Sequence, residues 1–171
     1  MPTPATHYKP GGMSPVSPHL VCRGAADAID FYVRAFGAVE KGRMPGPDGK
    51  IMNAMITIEG ASIMLVDENT MLNLRSPQTL GGSAVSIHVF VPDVDAFAAH
   101  AVTEGAELLM KPDDQFWGDR FCMLRDPFGH VWSFATHKFD LEPEEMGKAA
   151  AAVFAKSPGA GSGNLQNKGE M

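Results

Sequence analysis

The sequence predicts an α+β fold of paired βαβββ modules, and three observations carry that expectation. "SPHLVCRGAADAIDFY", from Ser17, is echoed by "SIHVFVPDVDAFAAH", from Ser86. The echo runs on at a steady shift of 68 or 69 residues: Asp27 matches Asp95, Gly37-Ala38 match Gly105-Ala106, and Gly60 matches Gly129. Each copy also reads in the same order, as a strand, a helix and then three strands. A unit of that order leaves one sheet face open. Two units side by side are expected to curl eight strands into a mixed sheet around a cleft, with the helices outside.

In the first copy "SPHLVCR" reads as a strand. "AADAIDFYVRAFG" reads as a helix with Ala28, Ile29, Tyr32 and Phe36 along one side. "KIMNAMITI" and "ASIMLVD" form a hairpin across Glu59-Gly60. In the second copy "VSIHVFV" is the strand and "DVDAFAAHAVTEG" the helix. "DRFCMLR" and "HVWSFATH" close it through Asp126-Pro127-Phe128-Gly129, whose Pro and Gly sit where a tight turn favours them.

The expected organisation is a loose arm over residues 1–15, rich in Pro, Gly, Ser and Thr, followed by a body over 16–138. The body divides into module one at 16–68, a linker at 69–83 and module two at 84–138. "LEPEEMGKAAAAVFAK" supplies a helical extension within 139–156, and 157–171 is small, polar and expected to be disordered.

The chain has 171 residues, 44% of them hydrophobic and 20% charged, ordinary values for one soluble domain with a core. A net charge of −6 with no Lys/Arg run argues against a nucleic-acid surface. No apolar stretch approaches the ~20 residues that cross a bilayer, and the first residues lack a secretion signal. Cys22 and Cys122 sit singly in apolar runs, as reduced buried thiols of a cytoplasmic protein do. No dinucleotide, P-loop, serine-hydrolase or zinc-protease motif is present.

Strand alternation singles out the candidate binding residues. In "AVSIHVFV", Val85, Ile87, Val89 and Val91 make a wholly apolar face suited to backing onto helices. Ala84, Ser86, His88 and Phe90 make a mixed face suited to lining a cleft. Ser17, His19, Val21 and Arg23 share a face of the first strand in the same way. Met55, Met64 and Met123 lie in cleft-forming strands, where thioethers adapt to flat ligands or simply fill the core. Asn53 suits either a ligand carbonyl or amide, or a hydrogen bond within the sheet. Trp117 and Phe116, in "QFWGDRF", suit stacking at a cleft mouth or sealing a subunit interface. Trp132, of opposite parity to Ser133, is expected to face the helices. Tyr32 is expected in the core, and Asp119 and Arg120 are candidates to pair with each other.

The paired modules, "AIDFYVRAFGA", "RMPGPDGKIMNA" and "WGDRFCMLRDPFGHVWSFATH" resemble the vicinal oxygen chelate superfamily, which includes glyoxalase I, the bleomycin-resistance proteins and extradiol dioxygenases. The resemblance is to its PhnB-like branch and covers about residues 16–148. It implies a homodimer and, in the enzymes, a cleft metal held from the first and last strands of each module. Carried onto this chain by its motifs, the ligand positions fall on Ser17, Met64, Ser86 and Ser133, none of which is an imidazole, thiolate or carboxylate. The branch's His-Ala-Glu is Asn53-Ala54-Met55 here. No metal and no other cofactor is therefore expected. On this register His19 and His88 lie one pleat deeper than the metal plane.

Three readings of the histidines stand: hydrogen-bonded cleft-lining groups, a pair that binds a ligand or transfers protons, or a displaced metal site. The expectation is a metal-independent protein that binds an apolar or aromatic small molecule. His19, His88, Asn53, Met55, Met64, Phe90, Ser133 and Trp117 would form its site. The alternative is a glyoxalase-like lyase or isomerase using His19 and His88 as acid and base. A vestigial pocket with only a dimer surface in use is the third.

Overall fold

The computed structural model describes residues 2–156, so the expected disorder of 157–171 lies outside the described residues. In chain order the elements are β1 (His19–Cys22), α1 (Ala25–Phe36), β2 (Val39–Pro45), β3 (Ile51–Ile58), β4 (Ala61–Asp67), α2 (Pro77–Leu80), β5 (Ser86–Phe90), α3 (Val94–Thr103), β6 (Glu107–Asp114), β7 (Asp119–Arg125), β8 (Val131–His137) and α4 (Pro143–Lys156). Each half is therefore a strand, a helix and three strands.

The strands form two four-stranded mixed sheets, ordered β1-β4-β3-β2 and β5-β8-β7-β6. The expected paired βαβββ modules are present, and among the described residues their eight strands form these two sheets with no strand pairing between them. In each, the opening strand pairs in parallel with the closing strand, leaving β1 and β5 with one open edge.

The local chemistry explains where the helices begin and end. Gly24, at φ 91, turns the chain into α1, and no side chain of its own caps the helix. Asp67, at the end of β4, does so instead. Its Oδ1 accepts from the N–H groups of Gly24 and Ala25 at 3.0 and 2.9 Å, and its Oδ2 accepts from Ile51 N–H at 2.7 Å. One carboxylate thus ties a strand end, a helix start and a hairpin together. In the second module Asp93 caps α3 conventionally, accepting from Asp95 and Ala96.

A single core spans both modules. Tyr32 and Phe36 from α1 pack on Trp132, with ring centroids 5.3 and 5.0 Å apart, and Phe36 also meets Phe134 and Phe97. Trp132 and Tyr32 are fully buried, as parity and helix periodicity predict. The helices α1 and α3 lie behind the sheets, on the side away from His88. Ile87, Val89 and Val91 turn to this core while Ser86, His88 and Phe90 are exposed on the other side.

Two details differ from expectation, and two regions gain detail. β1 begins at His19 rather than Ser17, because the Ser17 hydroxyl bonds to Ser62 Oγ at 2.6 Å instead of entering the strand. The arm is pinned at its end, where Ser14 N–H donates to Ser62 Oγ. Residues 69–83 fold into a 3₁₀ turn capped by Asn69 and the short helix α2. Arg120 pairs with Asp95 and Asp114, not Asp119, because neighbouring strand residues point to opposite faces.

Candidate functional site

The register of the two sheets arranges the predicted residues in two equivalent transverse rows. In module one Met55 is opposite Met64, and Met64 is opposite His19. In module two Met123 is opposite Ser133, and Ser133 is opposite His88. Met64 and Ser133 are therefore level with the histidines. Ser17 is level with Ser62, and Ser86 is opposite Val131. This corrects the expected register, in which the imidazoles sat one pleat deeper. Counting along a strand cannot find its partner's register, which the parallel ladder sets.

Module two carries the richer face. His88 Nδ1 shares a hydrogen bond with Ser133 Oγ at 2.8 Å, which fixes the ring plane. The imidazole meets Phe90 edge-on at 4.7 Å and lies nearly parallel to Phe121 at 6.1 Å. Phe90 and Phe121 both oppose Ala135, so a small residue separates two aromatic rings in the next row. Phe90 remains 54% exposed, an apolar ring available to a partner. Trp117 lies edge-on to Phe121 at 5.8 Å, and its indole N–H donates to Asp119 at 3.0 Å. Phe116 continues the aromatic run to Phe154 of α4.

On module one, Asn53 is opposite Met44 at the outer part of the face, two residues from Met55. His19 is exposed there. The structure does not carry His19 to His88 in one cavity wall: of two cavities that His19 lines, one meets module two through Val85 and Ile87, the side of β5 opposite His88, and the other is lined by module one and the linker. The predicted residues thus form two groups, His19-Met64-Met55 with Asn53, and His88-Ser133-Phe90 with Trp117 near its rim.

Phe121 is a face residue that sequence reasoning missed, although the parity that placed Met123 there also places Phe121. The Asp119–His137 pair was equally hidden. His137 Nδ1 lies 2.7 Å from Asp119 and Nε2 3.0 Å from Asp140, and these carboxylates, Asp140 foremost, raise the imidazole pKa above its ordinary value. Burial, followed by the nearby carboxylates of Asp126 and Asp67, pushes the Cys22 thiol far up, which makes it inert as a nucleophile.

The metal implied by the fold's enzymes is a poor fit to these rows. Two imidazoles, two thioethers from Met55 and Met64, one more from Met123 and a hydroxyl offer no carboxylate. Among the described residues no group of three His, Cys, Asp or Glu side chains is arranged to hold a metal ion.

Comparison with known proteins agrees with this architecture. An uncharacterized protein of Mycobacterium bovis is 44% identical over 140 residues, covering 80% of this chain and 92% of that protein. TioX from Micromonospora sp. ML1 superposes with a TM-score of 0.58 at 27% identity, covering 72% of this chain and 98% of that one. TnmS3, an antibiotic binding protein from Streptomyces sp. CB03234, superposes with a TM-score of 0.54 at 24% identity, covering 70% and 92%, a likeness of fold alone. The model of the Glyoxalase/Bleomycin resistance protein/Dioxygenase superfamily matches residues 14–134, and the chain belongs to that superfamily.

Proposed function

We propose that the protein binds an apolar or aromatic small molecule without a metal and without turning it over. The observation that carries this reading is the stack on the open face of module two, where Phe90 and Phe121 flank an imidazole held by Ser133. A flat ligand gains area and edge or face contacts on such a surface, and His88 orients it through a hydrogen bond. The adaptable thioethers of Met55 and Met64 line the equivalent face of module one, with His19 and Asn53 as its polar groups.

Each face is open, and a second copy would complete it. β1 and β5 each present an unpaired edge, and Met44 on the face of module one and Phe90 on that of module two are more than half exposed. Unpaired edges beside apolar surface favour association, so the working form is a homodimer. The reduced, buried cysteines suit a cytoplasmic location. No described helix is long and apolar enough to cross a membrane.

The test is titration of the purified protein with planar aromatic antibiotics, followed by tryptophan fluorescence. Saturable binding that weakens at least tenfold in Phe90→Ala and His88→Ala, with the drug's mass unchanged, supports the reading. Near-stoichiometric nickel, zinc or iron, or a changed drug mass, overturns it.

A second reading rests on the same Ser133 bond. It anchors His88 through Nδ1 and leaves Nε2 to exchange protons, so a glyoxalase-like lyase or isomerase using His88 and His19 is the alternative. Turnover of a hemithioacetal that is lost in His88→Gln distinguishes it.

A further inference from the structure

Five of the six arginines are held by carboxylates. Arg23 pairs with Glu68, Arg34 with Glu104, Arg43 with Glu40 and Asp30, Arg120 with Asp95 and Asp114, and Arg125 with Glu107. Among the described residues Arg75 has no such partner. It lines a cavity of about 380 Å³ at the seam between the modules, within the size range of small-molecule sites.

The cavity's walls are mostly apolar. Val21 comes from β1, Leu80 from α2, and Val85 and Ile87 from the approach to β5 and its core-facing side. Among the described residues no aspartate or glutamate lines it. The other polar side chains in its lining are His19, Ser83 and His130, the last a buried imidazole whose Nε2 lies 3.7 Å from Cys22 Sγ. Burial lowers the His130 pKa, so that imidazole stays neutral. A guanidinium without a carboxylate partner in the lining of a largely apolar pocket is complementary to one negative charge carried on an apolar body.

We propose that the seam cavity binds a small amphipathic carboxylate, its charge on Arg75 and its aliphatic or aromatic body against Val21, Leu80, Val85 and Ile87. Ile87 and His88 point to opposite sides of β5, so this site is separate from the aromatic face of module two; it shares His19 with the module-one face but does not depend on an aromatic ligand binding there. Its walls come from both modules and from the linker, so occupancy also holds the modules together.

Calorimetry on the full chain with hexanoate, and with hexanamide as the uncharged analogue, tests the assignment. Hexanoate is expected to bind at least tenfold more tightly than hexanamide and to raise the melting temperature. Arg75→Gln abolishes the preference, Arg75→Lys restores part of it, and Phe90→Ala leaves hexanoate affinity within twofold. Arg75 is exposed and unbonded among the described residues, so neither replacement disturbs the fold. Equal affinity for acid and amide, no binding of hexanoate, unchanged hexanoate affinity in Arg75→Gln, or its loss in Phe90→Ala would each overturn the proposal. Failure of aromatic antibiotics to bind would leave it standing.

Discussion

The hydroxyl of Tyr32, on the first helix, donates to the carboxylate of Asp126 at 2.6 Å, across 94 residues of sequence and from one module to the other. The indole N–H of Trp132 donates to the same oxygen at 2.8 Å, and the backbone N–H groups of Phe128 and His130 donate to the second oxygen at 2.9 Å. Four donors satisfy a buried carboxylate and tie the turn of module two to the helix of module one. The burial of Tyr32 and the neighbouring carboxylate push its phenol pKa well up, so it stays a donor.

Removing that hydroxyl leaves Asp126 one donor short in a water-poor site. Tyr32→Phe is expected to cost roughly 1.5–3 kcal/mol, the range for hydrogen bonds to charged groups. Urea unfolding checks it, and a loss under about 0.5 kcal/mol would mean the other three donors suffice.

Asp67 stands in for a missing cap. Asp67→Ala strips acceptors from Gly24, Ala25 and Ile51 together, and the expected cost is about 2 kcal/mol, at the upper end for capping residues. Hydrogen exchange at the first turn of α1 should rise with it. Protection that stays unchanged there would contradict the assignment of Asp67 as the cap.

Gly118 is the second vulnerable point. Its φ is 97, a Cβ would collide with the carbonyl of Phe139, and its own carbonyl accepts from Lys138 and Phe139. Gly118→Ala is expected to destabilise by roughly 1–3 kcal/mol and to loosen the segment leading into α4. The collision is with backbone, which cannot rotate aside. Exchange rates through residues 137–146 report it directly.

Two histidines should give the stability opposite pH slopes. His130 is buried and its pKa is lowered from 6.5, first by desolvation. Its contribution is complete above the unfolded value and is lost as pH falls through the folded one. His137 has its pKa raised by Asp140 and Asp119, so its contribution is complete below the unfolded value and is lost as pH rises through the folded one. NMR titration should place His130 below and His137 above an unstructured histidine. His137→Gln should flatten the decline on the alkaline side only.

The sequence alone determined the order of strands and longer helices in each module, the hairpins across Gly60 and Gly129 and the parity of the strand residues it assigned. Those are local properties: a period of two puts Ile87 inward and His88 outward, and Asp-Pro-Phe-Gly bends a chain wherever it occurs. It also determined the superfamily, because the repeat and its motifs are written in residue order.

Tertiary structure decided what neighbours what. The row that unites Met55, Met64 and His19 depends on ladder register, which no single strand encodes. The separation into two sheets depends on which edges find partners, and the roles of Asp67 and Asp126 depend on donors brought from distant segments. Asp126 reads as a turn former because its turn is local. Its bonds to Tyr32 and Trp132 exist only because hydrophobic burial drives α1 against β8, and an acceptor placed there must then be satisfied.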